Sequence, residues 1–121
     1  MNLLRIAIGG ALGSVARYLF STFILRVTGS LLGVGTFAVN VVGCVLFGVI
    51  AGLAERRFVF GPDARTFLLI GVLGGFTTFS SYAFESVQFL RDGQFLAAAV
   101  NIVGQVLAGI VGLWVAFAIS G

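Results

Sequence analysis

The sequence contains no histidine and no lysine, and charge of either sign is scarce. Seven arginines and four acids make up 9% of the 121 residues. Without histidine there is no imidazole proton relay and no histidine metal site. A single cysteine, Cys44, rules out an intrachain disulfide; inside an apolar run it reads as a small core residue. The basic residues are scattered through short links, not arrayed as a stripe, which argues against a nucleic-acid partner. No Ser/His/Asp set, metal-ligand spacing or phosphate loop is present, so nothing points to an enzyme.

What the chain does have is apolar length. Hydrophobic residues make up 60%, mean hydropathy is +1.17, and there are 18 glycines against one proline. A soluble domain of this size cannot hide so much apolar surface, so the sequence predicts an all-α integral membrane protein. A spanning helix needs about 20 mostly apolar residues. Four stretches qualify, at about 4–25, 31–54, 66–90 and 94–119. The first is read as a retained helix, not a signal peptide, because it lacks a strong basic start followed by a clean apolar block, and three more spans follow it. The links "RVTGS", "ERRFVFGPDA" and "RDG" leave no room for a soluble domain, so residues 1–121 form one four-helix unit.

Orientation is weakly encoded. Arg5, Arg56, Arg57 and Arg65 lie on the amino-terminal side, and Arg26 and Arg91 on the other. The basic residues favour an internal amino terminus, by a margin small enough to allow insertion both ways. Small residues recur four apart at Gly9 and Gly13, Gly48 and Gly52, and Gly104, Ala108 and Gly112. Such rows let helix backbones approach closely, within one chain or between two. Four short helices can hardly enclose a polar path alone, so a transport role implies an oligomer. No internal repeat is present beyond a shared Gly-Gly in "IGGALGSVARY" and "LGGFTTFSSYAF". Any inverted symmetry must come from a second chain.

Polar side chains are costly in hydrocarbon and tend to mark function. Asn40 interrupts the second span, either as an interhelical hydrogen bond or as a donor to a passing solute. Arg17 in the first span either snorkels to the interface or lines an aqueous vestibule, where it would concentrate anions. In the third span Gly74 and Gly75 lower helix propensity, and Thr77, Thr78, Ser80 and Ser81 offer hydroxyls to freed backbone groups. A broken helix at membrane depth is tolerated where it is buried in protein or lines a water-filled path. Phe76, Phe79 and Tyr82 follow at steps of three, as plain packing or as a row of positive ring edges. Asn101 and Gln105 share a face of the fourth span, with Gly109 a turn on. They read as a structural bond or as a polar track. Donors are plentiful, while fixed negative charge inside the spans reduces to Glu85. That inventory suits an anion better than a cation, which would call for acidic rings.

Three stretches then carry a resemblance. "GGALGSVARY" (9–18), "GTFAVNVVGCVLFG" (35–48) and "GGFTTFSSYAFE" (74–85) together resemble the Fluc fluoride channel family, also called CrcB. The resemblance covers nearly the whole chain. It implies a dual-topology, antiparallel homodimer in lipid, in the bacterial inner membrane. Two pores would pass fluoride passively and selectively, and the membrane potential would drive the anion out. By matching positions, Asn40 corresponds to the pore asparagine, Phe79 and Tyr82 to two ring-edge phenylalanines, and Arg17 to a vestibule arginine. Thr78, Ser81 and Glu85 correspond to further polar positions. A structural sodium ion at the dimer interface would be held by backbone carbonyls, with Gly74 and Thr77 as candidates. The sequence departs from the pattern twice. Tyr82 replaces the second phenylalanine, and the amides Asn101 and Gln105 stand where the family's fourth helix usually carries hydroxyls. The alternative is a small proton-coupled multidrug exporter, also a four-helix antiparallel dimer. That class needs an acid in its first helix, which this chain lacks. A noncatalytic assembly subunit would leave the polar track without a purpose.

Overall fold

A computed structural model describes residues 2–29, 32–57 and 60–120. Among these, four helices are long and apolar enough to cross a membrane: Asn2–Thr28, Val34–Arg56, Pro62–Arg91 and Phe95–Ile119. Their ends differ from those of the four apolar stretches by up to four residues. The expected start of the second span, residue 31, lies outside the described residues. No strand occurs among the described residues, and the chain is a multi-pass membrane protein.

Local chemistry sets the ends. Gly33 precedes the second helix at φ 82°, a left-handed conformation that costs glycine nothing. Gly93, at φ 72°, turns the "RDG" link, and the Gln94 amide beyond it reaches back to the Phe89 carbonyl at 2.9 Å. Pro62 opens the third span in its first turn, where its missing N–H costs nothing. Arginines close two helix ends on one side of the membrane. Arg65 donates to the Ala54 carbonyl at 2.7 Å, and Arg56 donates to the Phe117 carbonyl while lying over the Phe117 ring. Arg5 pairs with Asp63 at 3.2 Å on the same side.

The glycine rows are used inside the chain. The first helix meets the first half of the third span (62–76) backbone to backbone. A Cβ on Gly75 would stand 2.6 Å from the Gly10 carbonyl, and one on Gly9 would stand 2.8 Å from the Phe67 carbonyl. The second helix packs on the fourth in the same way at Gly52, where a Cβ would come within 2.9 Å of the Phe117 carbonyl. Gly104 and Gly112 of the fourth helix face Phe37 and Val45 of the second. The outer surface carries exposed Leu19, Phe23, Leu96, Ile110 and Trp114, as a lipid-facing wall should. Two stretches wind more widely as π-helix, Thr66–Leu73 before the bend of the third span and Val100–Gly104 in the fourth helix. Such wide turns tend to sit beside functional sites; the second ends next to Gln105 and the first ends four residues before Thr77, and both of those residues line the cavity described next.

Candidate functional site

The third span bends at Thr77 and Thr78, which are extended at φ −83°, ψ 158° and φ −147°, ψ 121°. The sequence places the break at Gly74 to Thr77, and the extended Thr77 is the last residue of that stretch. In the structure Gly74–Phe76 is a regular helical turn, and the break follows it. The reason is tertiary: Gly75 is needed for close contact with Gly10, and a helical backbone serves that contact well.

Breaking a helix in lipid strands backbone groups, and each must find a partner. Thr78 caps the second half (Phe79–Arg91) by accepting from the Ser81 amide at 3.3 Å. Thr77 donates its hydroxyl back to the Leu73 carbonyl at 3.1 Å. The Thr78 backbone is claimed by Asn40. Its amide donates to Asn40 Oδ1 at 2.8 Å, and its carbonyl accepts from Asn40 Nδ2 at 2.9 Å. Asn40 therefore does make interhelical bonds, and they clasp the break itself. The break takes the usual helical partners from the carbonyls that precede it, those of Gly74 and Thr77 among them. The Thr78 amide, which would close a turn on Gly74, goes to Asn40. The Ser81 amide, which would close one on Thr77, goes to the Thr78 hydroxyl.

Beside the break lies a cavity of about 320 Å³, faced by Asn40, Thr78, Phe79, Tyr82 and Gln105. No charged residue lines it. A smaller one of about 180 Å³, on the other flank of Cys44 and Thr77, is faced by Gly74. Phe79 and Tyr82 sit together, ring centroids 5.6 Å apart and tilted by 47°. Phe76 does not continue their row. The break turns it into the core, 7% exposed, against Phe20 at 5.9 Å. The row expected at steps of three is thus cut to two rings. The Tyr82 hydroxyl, the departure noted in the sequence, donates to the Ile102 carbonyl in the π-helical turn at 2.7 Å.

The other candidates distribute around this centre. Asn101 and Gln105 are both 5% exposed and joined to each other, with Gln105 Nε2 donating to Asn101 Oδ1 at 3.2 Å. Gln105 also accepts from Asn40. Ser81 lies one turn past the break, its hydroxyl 3.3 Å from that of Thr78. Arg17 is half-buried on the far side, its Nε donating to the Gly75 carbonyl at 3.1 Å, so the guanidinium braces the break. Glu85 stands two turns beyond. Its Oε1 accepts from the Thr36 hydroxyl at 2.6 Å, while Oε2 is buried with no partner. Gly33 backs onto this place, where a Cβ would sit 3.3 Å from both Glu85 Oε2 and Asn101 Oδ1. The break thus gathers Asn40, Thr77, Thr78, Ser81, Phe79, Tyr82 and Gln105, with Arg17 and Glu85 held apart from its cavity.

Sequence reasoning missed Thr36 and Ser86. Thr36 lies one helical turn before Asn40 and so shares its face, a signal that was available. Ser86 accepts from Asn101 Nδ2 at 2.9 Å and donates to the Tyr82 carbonyl at 2.8 Å. Among the described residues no group of three or more His, Cys, Asp or Glu side chains is placed to hold a metal ion.

Comparison with known proteins settles the family. The model of the CrcB-like protein, Camphor Resistance (CrcB) family matches residues 4–117. The chain belongs to the CrcB family. It is 45% identical over 106 residues to the fluoride-specific ion channel FluC of Maridesulfovibrio salexigens, covering 88% of this chain and 84% of that one. It is 44% identical over 115 residues to the FluC of Nitrosococcus oceani, covering 95% and 92%. The FluC of Geobacter sulfurreducens is 42% identical over 113 residues, covering 93% and 91%. This is a family of ion channels, and a CrcB-family chain is not an enzyme.

Proposed function

We propose that this chain is a passive, selective fluoride channel. It works as an antiparallel homodimer in the bacterial inner membrane, with two pores, each running past one broken third span. The observation that carries the reading is the uncharged cavity at Thr77–Thr78, lined by the amides of Asn40 and Gln105, the two threonines and the rings of Phe79 and Tyr82. Fluoride is small and strongly hydrated. It sheds water only if other donors replace the shell, and it leaves only if none of them is a deep well. Neutral serial donors meet both needs, where a buried lysine would trap the ion. Arg17 and Glu85 then lie at opposite approaches to this stretch. The membrane potential, negative inside, drives the anion outward.

The exposure of Phe79 supports a second copy. Phe79 is 77% exposed on one chain, although it lines the cavity. A partner inserted the other way would complete that wall. The same juxtaposition brings two bends together. The carbonyls of Gly74 and Thr77, relieved of their helical partners, form a hard oxygen donor set of the kind that unwound membrane helices offer to sodium. These residues would hold a structural sodium ion at the dimer interface, which supplies fixed positive charge there.

Proteoliposomes loaded with potassium fluoride test the reading. Valinomycin should trigger fluoride loss at a rate proportional to protein. Sealed vesicles, or proton flux driven by a cationic drug, would contradict it and favour an exporter. The first helix, Asn2–Thr28, has no acid to serve that exchange.

A further inference from the structure

We infer that Gln105 is a positioning residue for Asn40, the link through which a one-way chain of amides sets how Asn40 meets the ion. The inference deepens the channel reading and rests on it for its functional half.

The chain is directional because its origin is backbone. The Thr78 amide can only donate and its carbonyl can only accept, so Oδ1 and Nδ2 of Asn40 cannot be exchanged. The second hydrogen of Asn40 Nδ2 points to Gln105 Oε1 at 2.5 Å. That contact turns Gln105 Nε2 toward Asn101 Oδ1 at 3.2 Å. Asn101 Nδ2 must then face the Ser86 hydroxyl at 2.9 Å, and Ser86 passes its own hydrogen to the Tyr82 carbonyl at 2.8 Å. Reversing Asn40 or Gln105 sets oxygen against oxygen on one side and hydrogen against hydrogen on the other; reversing Asn101 sets hydrogen against hydrogen at Gln105 and draws the Ser86 hydrogen away from the Tyr82 carbonyl. Gln105, Asn101 and Ser86 are all buried, so bulk water cannot rescue a reversed member. Linked bonds of this kind also polarise one another.

The consequence falls on Asn40. Both of its amide hydrogens are committed, one to Thr78 and one to Gln105. An anion in the cavity must share or take the hydrogen that Gln105 Oε1 holds, because the other is needed to clasp the break. Gln105 therefore fixes the direction of that hydrogen and is the acceptor an ion displaces. A hydroxyl in its place would rotate freely between donor and acceptor. This amide, locked by Asn101, only accepts from Asn40.

The test is Gln105→Met, close in shape but without the amide, with Asn101→Leu as a second variant that leaves Gln105 in place. The side-chain amide signals of Asn40 are followed by NMR in the full-length protein, and fluoride efflux is measured beside them. We expect Gln105→Met to shift one Asn40 amide hydrogen upfield and leave the one bound to Thr78. Efflux should fall about tenfold, the scale of one lost directing hydrogen bond. Asn101→Leu should move the same signal less, in the same direction. Unmoved Asn40 signals in the variants, or moved signals with unchanged efflux, would overturn the inference. If the wild-type protein passes no fluoride, the channel reading fails, and the Asn40 signals still decide whether Gln105 orients that amide.

Discussion

The two halves of the third span are held by different forces. The first half (62–76) is seated on the first helix by shape, glycine against glycine, with Gly71 and Gly75 pressed on Gly9 and Gly10, and arginines bind only its two ends, at Asp63 and Arg65 and at Gly75. The second half, Phe79–Arg91, is fixed by hydrogen bonds. Asn40 clasps its entrance, Tyr82 ties to Ile102, Glu85 to Thr36 and Ser86 to Asn101. In lipid, where apolar contact alone gives no preference for protein over solvent, these are the two available ways to join helices. Close packing gives a rigid scaffold with no polar surface. A hydrogen-bonded half keeps donors at membrane depth and can lend them to an ion.

Substitutions in each half should therefore fail differently. The largest effect is expected at the clasp. Asn40→Asp sets a carboxylate against the Thr78 carbonyl and the ion path. A fixed charge about 4 Å from an anion costs about 4 kcal/mol at an effective dielectric of about 20. That is about a thousandfold in rate, so fluoride efflux from vesicles should vanish. Undiminished efflux would remove Asn40 from the path. Next is Phe79→Ile, which keeps apolar bulk and removes the positive ring edge. Efflux should slow by at least about tenfold, the worth of one aromatic contact of roughly 1.5 kcal/mol. A normal rate would leave Phe79 as packing only.

In the first half the signature is stability. Gly75→Ala drives a methyl against the Gly10 carbonyl and should cost about 1–3 kcal/mol by overpacking. A lower melting temperature in detergent would show this, while the protein that survives conducts normally. A slow channel with wild-type stability would erase the distinction between the halves. The smallest effect belongs to Tyr82→Phe, which loses the bond to Ile102 and keeps the ring. About 1 kcal/mol of stability should go, with efflux changed by no more than about threefold. A collapse of efflux would mean that the hydroxyl itself serves the ion.

Much of this was readable in the residues. Span lengths, the uncharged polar inventory and the break near Gly74 all follow from hydropathy and helix propensity. Which end of the Gly74–Thr77 stretch opens did not, because Gly75 answers to Gly10 in another helix, which propensity cannot see. Phe76 separates from Phe79 and Tyr82 for the same reason: a period of three holds only while the helix is unbroken. The glycine rows were visible as contact surfaces, but only the fold shows that Gly9, Gly48 and Gly52 are consumed within one chain. The roles of Thr36 and Ser86 depend on Glu85 and Asn101 lying across from them, and no local pattern encodes that pairing.

The central claim is that the ion passes the hydrogen-bonded half at its entrance. Solid-state NMR on the protein in bilayers, with labelled Asn40 and Phe79 and added fluoride, measures this directly. The account predicts dipolar contact from bound fluorine to the Asn40 amide and to the Phe79 ring. Saturable fluoride contacting neither residue would contradict it.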